Sequence, residues 1–485
     1  MKFYKNLLFV VAFLLGFEGK SQKIASSAKE TSDQMPLQAC IDYALQNNIS
    51  IKQSGLQVEN LTNNFEESKF KRYPIVNGFS NFNLYQGRNI NPYTNGIITN
   101  TTGSNSYGIQ SSVTLFDGYQ TRNNIAYNQL NLEASRLDLL AQRNLITLNV
   151  VVGYLNVLTQ QDLLEVANRQ VEVTKIQTDR TEKLVRAGSS AETALYDIKA
   201  QLANDELSVV NAQNNLESAR LTLKQILNMA ADRDIQVVRV EVPNPNVQVY
   251  PNSSQQVYEV AQGFLPDIQA ADLRIKLAQK NIDIAKAFKL PTVSANAALQ
   301  SNASTAAQQS SGQFVPTEQN FGSVNVNGTD FPLIVKSQSP ILEGIPFTKQ
   351  ISGNFNSSVG LTVRVPILNG YNANFRMAAA KIQTKNAEYQ ADNARITLRQ
   401  SIEQAYINMS NASKRYSAIQ NQVTSLEQAF RAAESKFNVG SLNSLDYNIS
   451  KTNLDRAKSN LIQSKYDYIF RTKILDYYQN KPLSF

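Results

Sequence analysis

The residues LQAC, ending at Cys40, hold the only thiol in a 485-residue sequence that has no His and no Trp. A Cys in that setting has the look of a lipoprotein cleavage box, where the thiol would take up lipid. It sits some twenty residues beyond the N-terminal apolar run, however, inside a helical pattern of Leu37, Cys40, Ile41, Ala44 and Leu45. A buried structural thiol is therefore expected. One Cys excludes an intramolecular disulfide, and without imidazole or paired thiolates most catalytic and metal-ligand chemistry is closed. Carboxylates remain. Paired acids can cleave glycosides, but nothing in the sequence brings two acids to one pocket. Asp197 and Asp446 each follow a Gly-Ser turn, Gly188-Ser189 and Gly440-Ser441. A carboxylate at a helix start gains ~0.3–1 kcal/mol, so both fit first as helix-start residues. No catalytic residue, cofactor or metal site is evident.

The elements that position these residues begin with "MKFYKNLLFVVAFLLGFEGKSQ", where Lys2 and Lys5 precede an apolar run from Leu7 to Phe17. That run is too short to span a bilayer but suits a secretory signal peptide over residues 1–22. Beyond it no apolar run reaches transmembrane-helix length, so any membrane entry must be by strands. The formal charge is +8, yet Lys and Arg alternate with Asp and Glu along helical faces. Nucleic-acid binding would need clustered basic residues, and none is expected.

"VTLFDGYQTRN" (Val113 to Asn123) and "VPILNGYNANF" (Val365 to Phe375) nearly repeat, 252 residues apart. At that offset Tyr154 falls on Tyr406, Gly188-Ser189 on Gly440-Ser441, Leu202 on Leu454 and Leu223 on Leu475. Upstream, "FKRYP" at Pro74 matches "AFKLP" at Pro291, with the second copy longer by 35 residues in the Gly/Ser/Asn-rich stretch 301–354. Two copies of one structural unit follow, over residues 36–229 and 254–480, with an inter-repeat segment at 230–253.

Each copy reads alike. A helix (36–72; 254–289) ends at an X-Pro, and two strand segments with a polar loop follow (75–117; 292–368). A very long helix comes next (119–186; 372–438), then a Gly-Ser turn and a last helix (190–229; 442–478). The long helix would span ~100 Å and needs lateral support. Leu130, Ala134, Leu137, Ala141, Leu148, Val151, Leu155 and Leu158 supply a coiled-coil seam. Leu195, Ile198, Leu202, Val209, Ala212, Leu216, Ala219, Leu223 and Ile226 supply its partner, broken once at Asp205. In the strands, Val359, Leu361, Val363, Val365 and Ile367 alternate with Ser358, Gly360, Thr362 and Arg364. Tyr107, Ile109, Val113 and Leu115 behave alike, as do Val293, Ala295, Ala297 and Leu299, whereas "IVNGFSNFNLY" has aromatics on both sides. Apolar outside and polar inside is the pattern of a membrane barrel, and Tyr85, Tyr93, Phe116, Tyr119 and Tyr371 would form its girdle. Four strands cannot close a barrel, and open edges are not tolerated in lipid. Three chains would supply twelve strands.

With its duplicated strand-Gly-helix phrase, Ala/Leu/Gln/Asn-rich long helices and paired turns "VRAGSSAETALYD" and "FNVGSLNSLDYN", the sequence resembles the outer-membrane efflux protein family, the TolC-like exit ducts, over essentially the whole mature chain. The resemblance implies an α+β membrane protein. It would be a homotrimer with a shared twelve-stranded barrel in outer-membrane lipid, continuous with an α-helical periplasmic tunnel in a Gram-negative cell. It implies partners too, a periplasmic adaptor and an inner-membrane pump, and an equatorial domain built from the inter-repeat segment and both termini. In such ducts acidic rings constrict the tunnel just after the second turn. Asp446 matches the first ring position, Ile449 stands at the second, and Asp197 is the nearest acid in the first copy. Arg186, Gly188, Ser189 and Ser190, with Val439, Gly440, Ser441 and Leu442, match the adaptor-docking tips. Asp117, Gly118 and Tyr119, with Asn369, Gly370 and Tyr371, mark the strand-to-helix junctions. Phe437 and Leu442 stand where the family carries an aromatic hydroxyl and an Arg that lock the closed tip, and can supply neither. The alternative is an exported coiled-coil rod without channel activity, which leaves the symmetrically placed strands unexplained.

Overall fold

The computed structural model describes residues 33–90, 96–230, 232–233, 235–239 and 250–481. The signal-peptide segment, Tyr93 and half of the inter-repeat segment lie outside the described residues. Strand β1 (Asp33–Met35) leads into helices α1 (Leu37–Asn47) and α2 (Ile49–Phe70), strands β2 (Ile75–Ile90) and β3 (Ile97–Phe116), and helices α3 (Gln120–Arg186) and α4 (Glu192–Leu227). After β4 (Ile235–Val237) the second copy gives α5 (Ser254–Phe264), α6 (Pro266–Ala287), β5 (Thr292–Ser304), β6 (Gln308–Val326), β7 (Thr329–Gly344), α7 (Phe347–Gly353), β8 (Asn356–Arg364), α8 (Asn372–Asn438) and α9 (Ser444–Tyr478).

The two helices read as continuous at 36–72 and 254–289 are each broken. Asn48 takes an extended ψ of 126°, and its side chain accepts from the amides of Ser50 and Ile51, capping α2 as α1 ends. Leu265 is likewise extended, with ψ 128° but no side-chain cap, because Pro266 follows it and Pro disfavours a helical residue before it. The second-copy segment 292–368 also departs from two strands and a polar loop. Its additional residues form the antiparallel hairpin β6–β7, followed by the short helix α7.

Helices α3 and α8, each of 67 residues, are ~100 Å long. α4 and α9 return along their tip-side halves, while α2 and α6 flank the strand-side halves. α6 also lies between α3 and α8, tied by Arg274–Asp138 at 2.5 Å and by an Arg395–Asp272 ion pair. The two apolar cores repeat with the sequence. Ile146, Val150 and Val157 in one correspond at the 252 offset to Leu398, Ile402 and Met409 in the other. The first core takes in β1 paired parallel with β4, together with Cys40, which is fully buried. Burial pushes the Cys40 thiol up to about 11.

Strands β2, β3, β5 and β8 form one antiparallel sheet in that order, with β2 and β8 as free edges. Its register settles the ambiguous strand. Val76 lies opposite Ser111, and Phe82 and Leu84 share its face, in line with Ile109, Val113, Leu299, Ala295, Leu361 and Val363. Asn77, Asn81 and Asn83 fall on the other face with Gln110, Ser106, Asn296, Gln300 and Thr362. Phe79, which shares that polar face with Tyr85, covers Gly108. A Cβ at Gly108 would stand 2.7 Å from the Phe79 ring, so the ring fills the space the glycine leaves.

Candidate functional site

The end of the helices farthest from the sheet is built from two turns. After α3, Gly188 adopts φ +71°, and the amide of Ser189 donates to Leu184 O at 2.9 Å. After α8, Gly440 adopts φ +77°, and the amide of Ser441 donates to Lys436 O at 2.9 Å. Both are Schellman closures, which need a residue with positive φ. A Cβ would meet nothing within 4 Å at either glycine, so backbone conformation, not space, selects Gly. Arg186, Gly188, Ser189, Val439, Gly440 and Ser441 are exposed, with Ser190 and Leu442 half-buried. The turns present mostly backbone and small side chains.

Asp446 belongs to the second turn's cap. The Asn443 side chain accepts from the Asp446 amide at 2.8 Å and donates to the Asp446 carboxylate at 2.9 Å. The carboxylate remains exposed. Asp197 on α4 accepts from the Ser444 hydroxyl at 3.0 Å. The fold thus brings the acid of the first copy to the residue that begins α9, two residues before Asp446. Arg180 on α3 reaches the side chain of Asn438, closing a second link between the two hairpins. Among the described residues no three Asp, Glu or Cys side chains converge as a metal site requires.

At the other end of the long helices both junctions use two consecutive left-handed residues, Gly118 and Tyr119 (φ 67° and 69°) and Gly370 and Tyr371 (φ 59° and 57°). Asp117 lies three residues before α3, its carboxylate accepting from the first-turn Thr121 amide at 2.8 Å and from the Thr121 hydroxyl. At Asn369 the backbone carbonyl accepts from the Asn372 amide at 3.2 Å. The two glycines differ in surroundings. A Cβ on Gly118 would stand 2.7 Å from Leu290 Cβ and 2.9 Å from Ala287 O, whereas at Gly370 nothing lies within 4 Å.

This arrangement, an open apolar-faced sheet leading into paired long helices with capped tips, has known counterparts. The family described as outer membrane efflux protein matches residues 40–229 and 257–471. The chain belongs to that family. It is similar to the outer membrane efflux protein BepC of Brucella suis, 21% identical over 88% of this chain and 81% of the relative. It is also similar to the outer membrane protein TolC of Escherichia coli, 24% identical over 77% and 68%. Among solved structures CusC, described in terms of transmembrane channel formation, shares the fold with a TM-score of 0.69 at 17% identity, over 92% of each chain. This is an outer-membrane protein of the efflux family.

In this efflux protein Phe437 stacks on Tyr447 with ring centroids 4.6 Å apart, and Phe430 flanks the same ring at 5.6 Å. Phe437 therefore packs within its own hairpin. Burial, then the Glu434 and Asp455 charges, push the Tyr447 hydroxyl up to about 12. Sequence reasoning missed the groups that join the hairpins farther from the tip. Lys451, with 4% of its side chain exposed, donates to Asp205 at 3.1 Å and to Asp455 at 2.7 Å. Asp205, 8% exposed, also accepts from Thr174 at 2.5 Å and Gln201 at 2.8 Å. The seam's break at Asp205 was the signal, since an acid at a seam position needs a buried cation to be tolerated.

Proposed function

We propose that three copies of the chain form a single passive duct, a twelve-stranded barrel in the outer membrane continuous with a helical tunnel in the periplasm. Through it an inner-membrane pump, coupled by a periplasmic adaptor, expels its cargo. The observation that carries this reading is the sheet β2-β3-β5-β8. It has one apolar and one polar face, two free edges and a direct continuation into two ~100 Å helices. Lipid does not tolerate open strand edges, and about eight strands are the practical minimum for a filled barrel. Pairing β8 of one copy with β2 of the next closes the sheet. The exposed turns at Arg186–Ser190 and Val439–Leu442 are the adaptor-docking tips in this reading. Asp446 and Asp197, three of each around the axis, form the acidic constriction.

The mass of the detergent-solubilised particle tests the assembly. Three chains, insoluble once detergent is removed, are expected; a particle soluble without detergent would sink the barrel. Planar-bilayer recording tests the gate. Asp446→Asn should lower the cation-over-anion permeability ratio several-fold. An unchanged ratio would leave Asp446 as a helix cap alone, with an effect on stability of ~1 kcal/mol or less.

A further inference from the structure

The hairpin β6–β7 has no place in the sheet just described, although it accounts for most of the second copy's additional residues. It is not a slack loop. Thr305 donates its amide to Gly103 O at 2.9 Å, beside the end of β5. The Gln350 side chain, buried, accepts from the Ser304 amide at 2.8 Å and donates to Ser304 O at 3.0 Å and Ile345 O at 2.7 Å. One amide thus clamps the chain as it leaves β5 and as it leaves β7, on either side of the hairpin's base. Beyond that clamp 19 residues run out and 16 return, a length of ~50–60 Å at ~3.3 Å per residue.

Such a ribbon cannot stand alone, since an isolated two-stranded hairpin is marginally stable at best in water. All of β7 and nearly all of β6 are exposed in the single chain. The register sorts the outer half into two faces. Val324, Val326, Phe331, Leu333 and Val335 lie on one, with Phe321 in the bulge opposite Leu333, and each is about half exposed or more. The other carries Asn320, Ser323, Asp330 and the Glu318–Lys336 ion pair, along with Pro332 and Ile334. Pro316, Pro332 and Pro340 remove backbone donors along the ribbon, which disfavours strand addition at its edges. A partner must therefore meet the apolar face.

We propose that this partner is the same face of the other copies, so that three hairpins form a collar over the outer mouth of the duct. The inference rests on the three-chain barrel proposed above. Twelve strands spaced ~4.8 Å apart and tilted ~40° close at a radius of ~12 Å, which puts three hairpin bases ~20 Å from one another. Each hairpin is more than twice as long as that spacing. Its base also lies between β5 and β8, and β8 holds the free edge at which the next copy pairs, so the contact continues the barrel's own seam.

Spin labels on Phe331→Cys and, separately, on Asp330→Cys in the purified detergent particle test this. Cys40 is fully buried and takes no label, which the unsubstituted protein verifies. The Phe331 label should be immobilised and give inter-chain distances shorter than the ~20 Å base spacing, while the Asp330 label stays mobile. Leu333→Cys, on the same face, repeats the measurement if the first variant does not assemble. Distances well beyond the base spacing, in a particle of three chains, overturn the collar and leave the duct intact. A particle of any other stoichiometry overturns the duct itself. Immobilisation in intact cells but not in the purified particle assigns the face to another molecule and also overturns the collar.

Discussion

Lys451 shows how one residue can hold two halves of a duplicated chain together. Its ammonium is buried between Asp205 of the first hairpin and Asp455 of its own. Taking charges from water is costly, and removing one partner leaves the others unpaired. Lys451→Met should therefore lower unfolding stability by ~3–5 kcal/mol, and adding Asp205→Leu should recover much of that loss. Thermal or denaturant unfolding of the two variants measures both. A second residue-scale outcome concerns alkali. Burial raises the Cys40 thiol to about 11 and the Tyr154 hydroxyl, in the same core, to about 12. Each is neutral when folded, and both ionise more readily in the unfolded chain. Their contribution to stability is complete below about pH 9 and is lost as pH rises through 11 and 12. Alkaline unfolding should begin in this core, and Cys40 should alkylate at neutral pH only after denaturation.

At the scale of elements, the two strand-to-helix junctions share a backbone path but not a packing environment. Gly118→Ala meets both a left-handed φ and a Cβ contact at 2.7 Å from Leu290. Gly370→Ala meets only the φ. The second substitution should cost ~1–2 kcal/mol. The first should cost clearly more, because Leu290 and the Ala287 carbonyl must move. Comparing the two midpoints in one denaturant separates conformation from space. The junction phrases were legible in sequence because Asp-Gly and Asn-Gly after an alternating strand are turn signals. Their unequal packing was not, since Leu290 lies far along the chain from Gly118 and only the approach of α6 sets the distance.

For the whole molecule, the decisive property is the two-faced sheet. Leu361 sits on the apolar face and Thr362 on the polar one. An Arg facing lipid near the bilayer midplane costs ~2–4 kcal/mol, whereas a lumen position tolerates charge. Leu361→Arg should reduce the amount of assembled particle in the outer membrane. Thr362→Lys should assemble normally and shift the pore's ion selectivity toward anions. Similar losses from both substitutions would argue against a lipid-facing and a lumen-facing side.

Self-matching, local periodicity and turn chemistry, read from the residues alone, determined the duplication, the two long helices and the glycine-closed tips; the α+β membrane class came with the family resemblance. These features repeat every few residues or stop at Gly and Pro, so a linear reading recovers them. The break at Asn48 escaped it because apolar spacing carries on across a single extended residue, whereas Pro266 marks the break at Leu265 in the sequence itself. The polarity of β2 escaped it too. Phe79 and Phe82 point to opposite faces, and only the pairing with β3 shows that Phe79 fills the space over Gly108. Only the tertiary structure decided that Asp197 meets Ser444, that Asp205 meets Lys451, and that the second copy's hairpin stands outside the four-stranded sheet. The two contacts join residues 247 and 246 positions apart, and the hairpin's place outside the sheet is set by how strands pack; no local pattern encodes either.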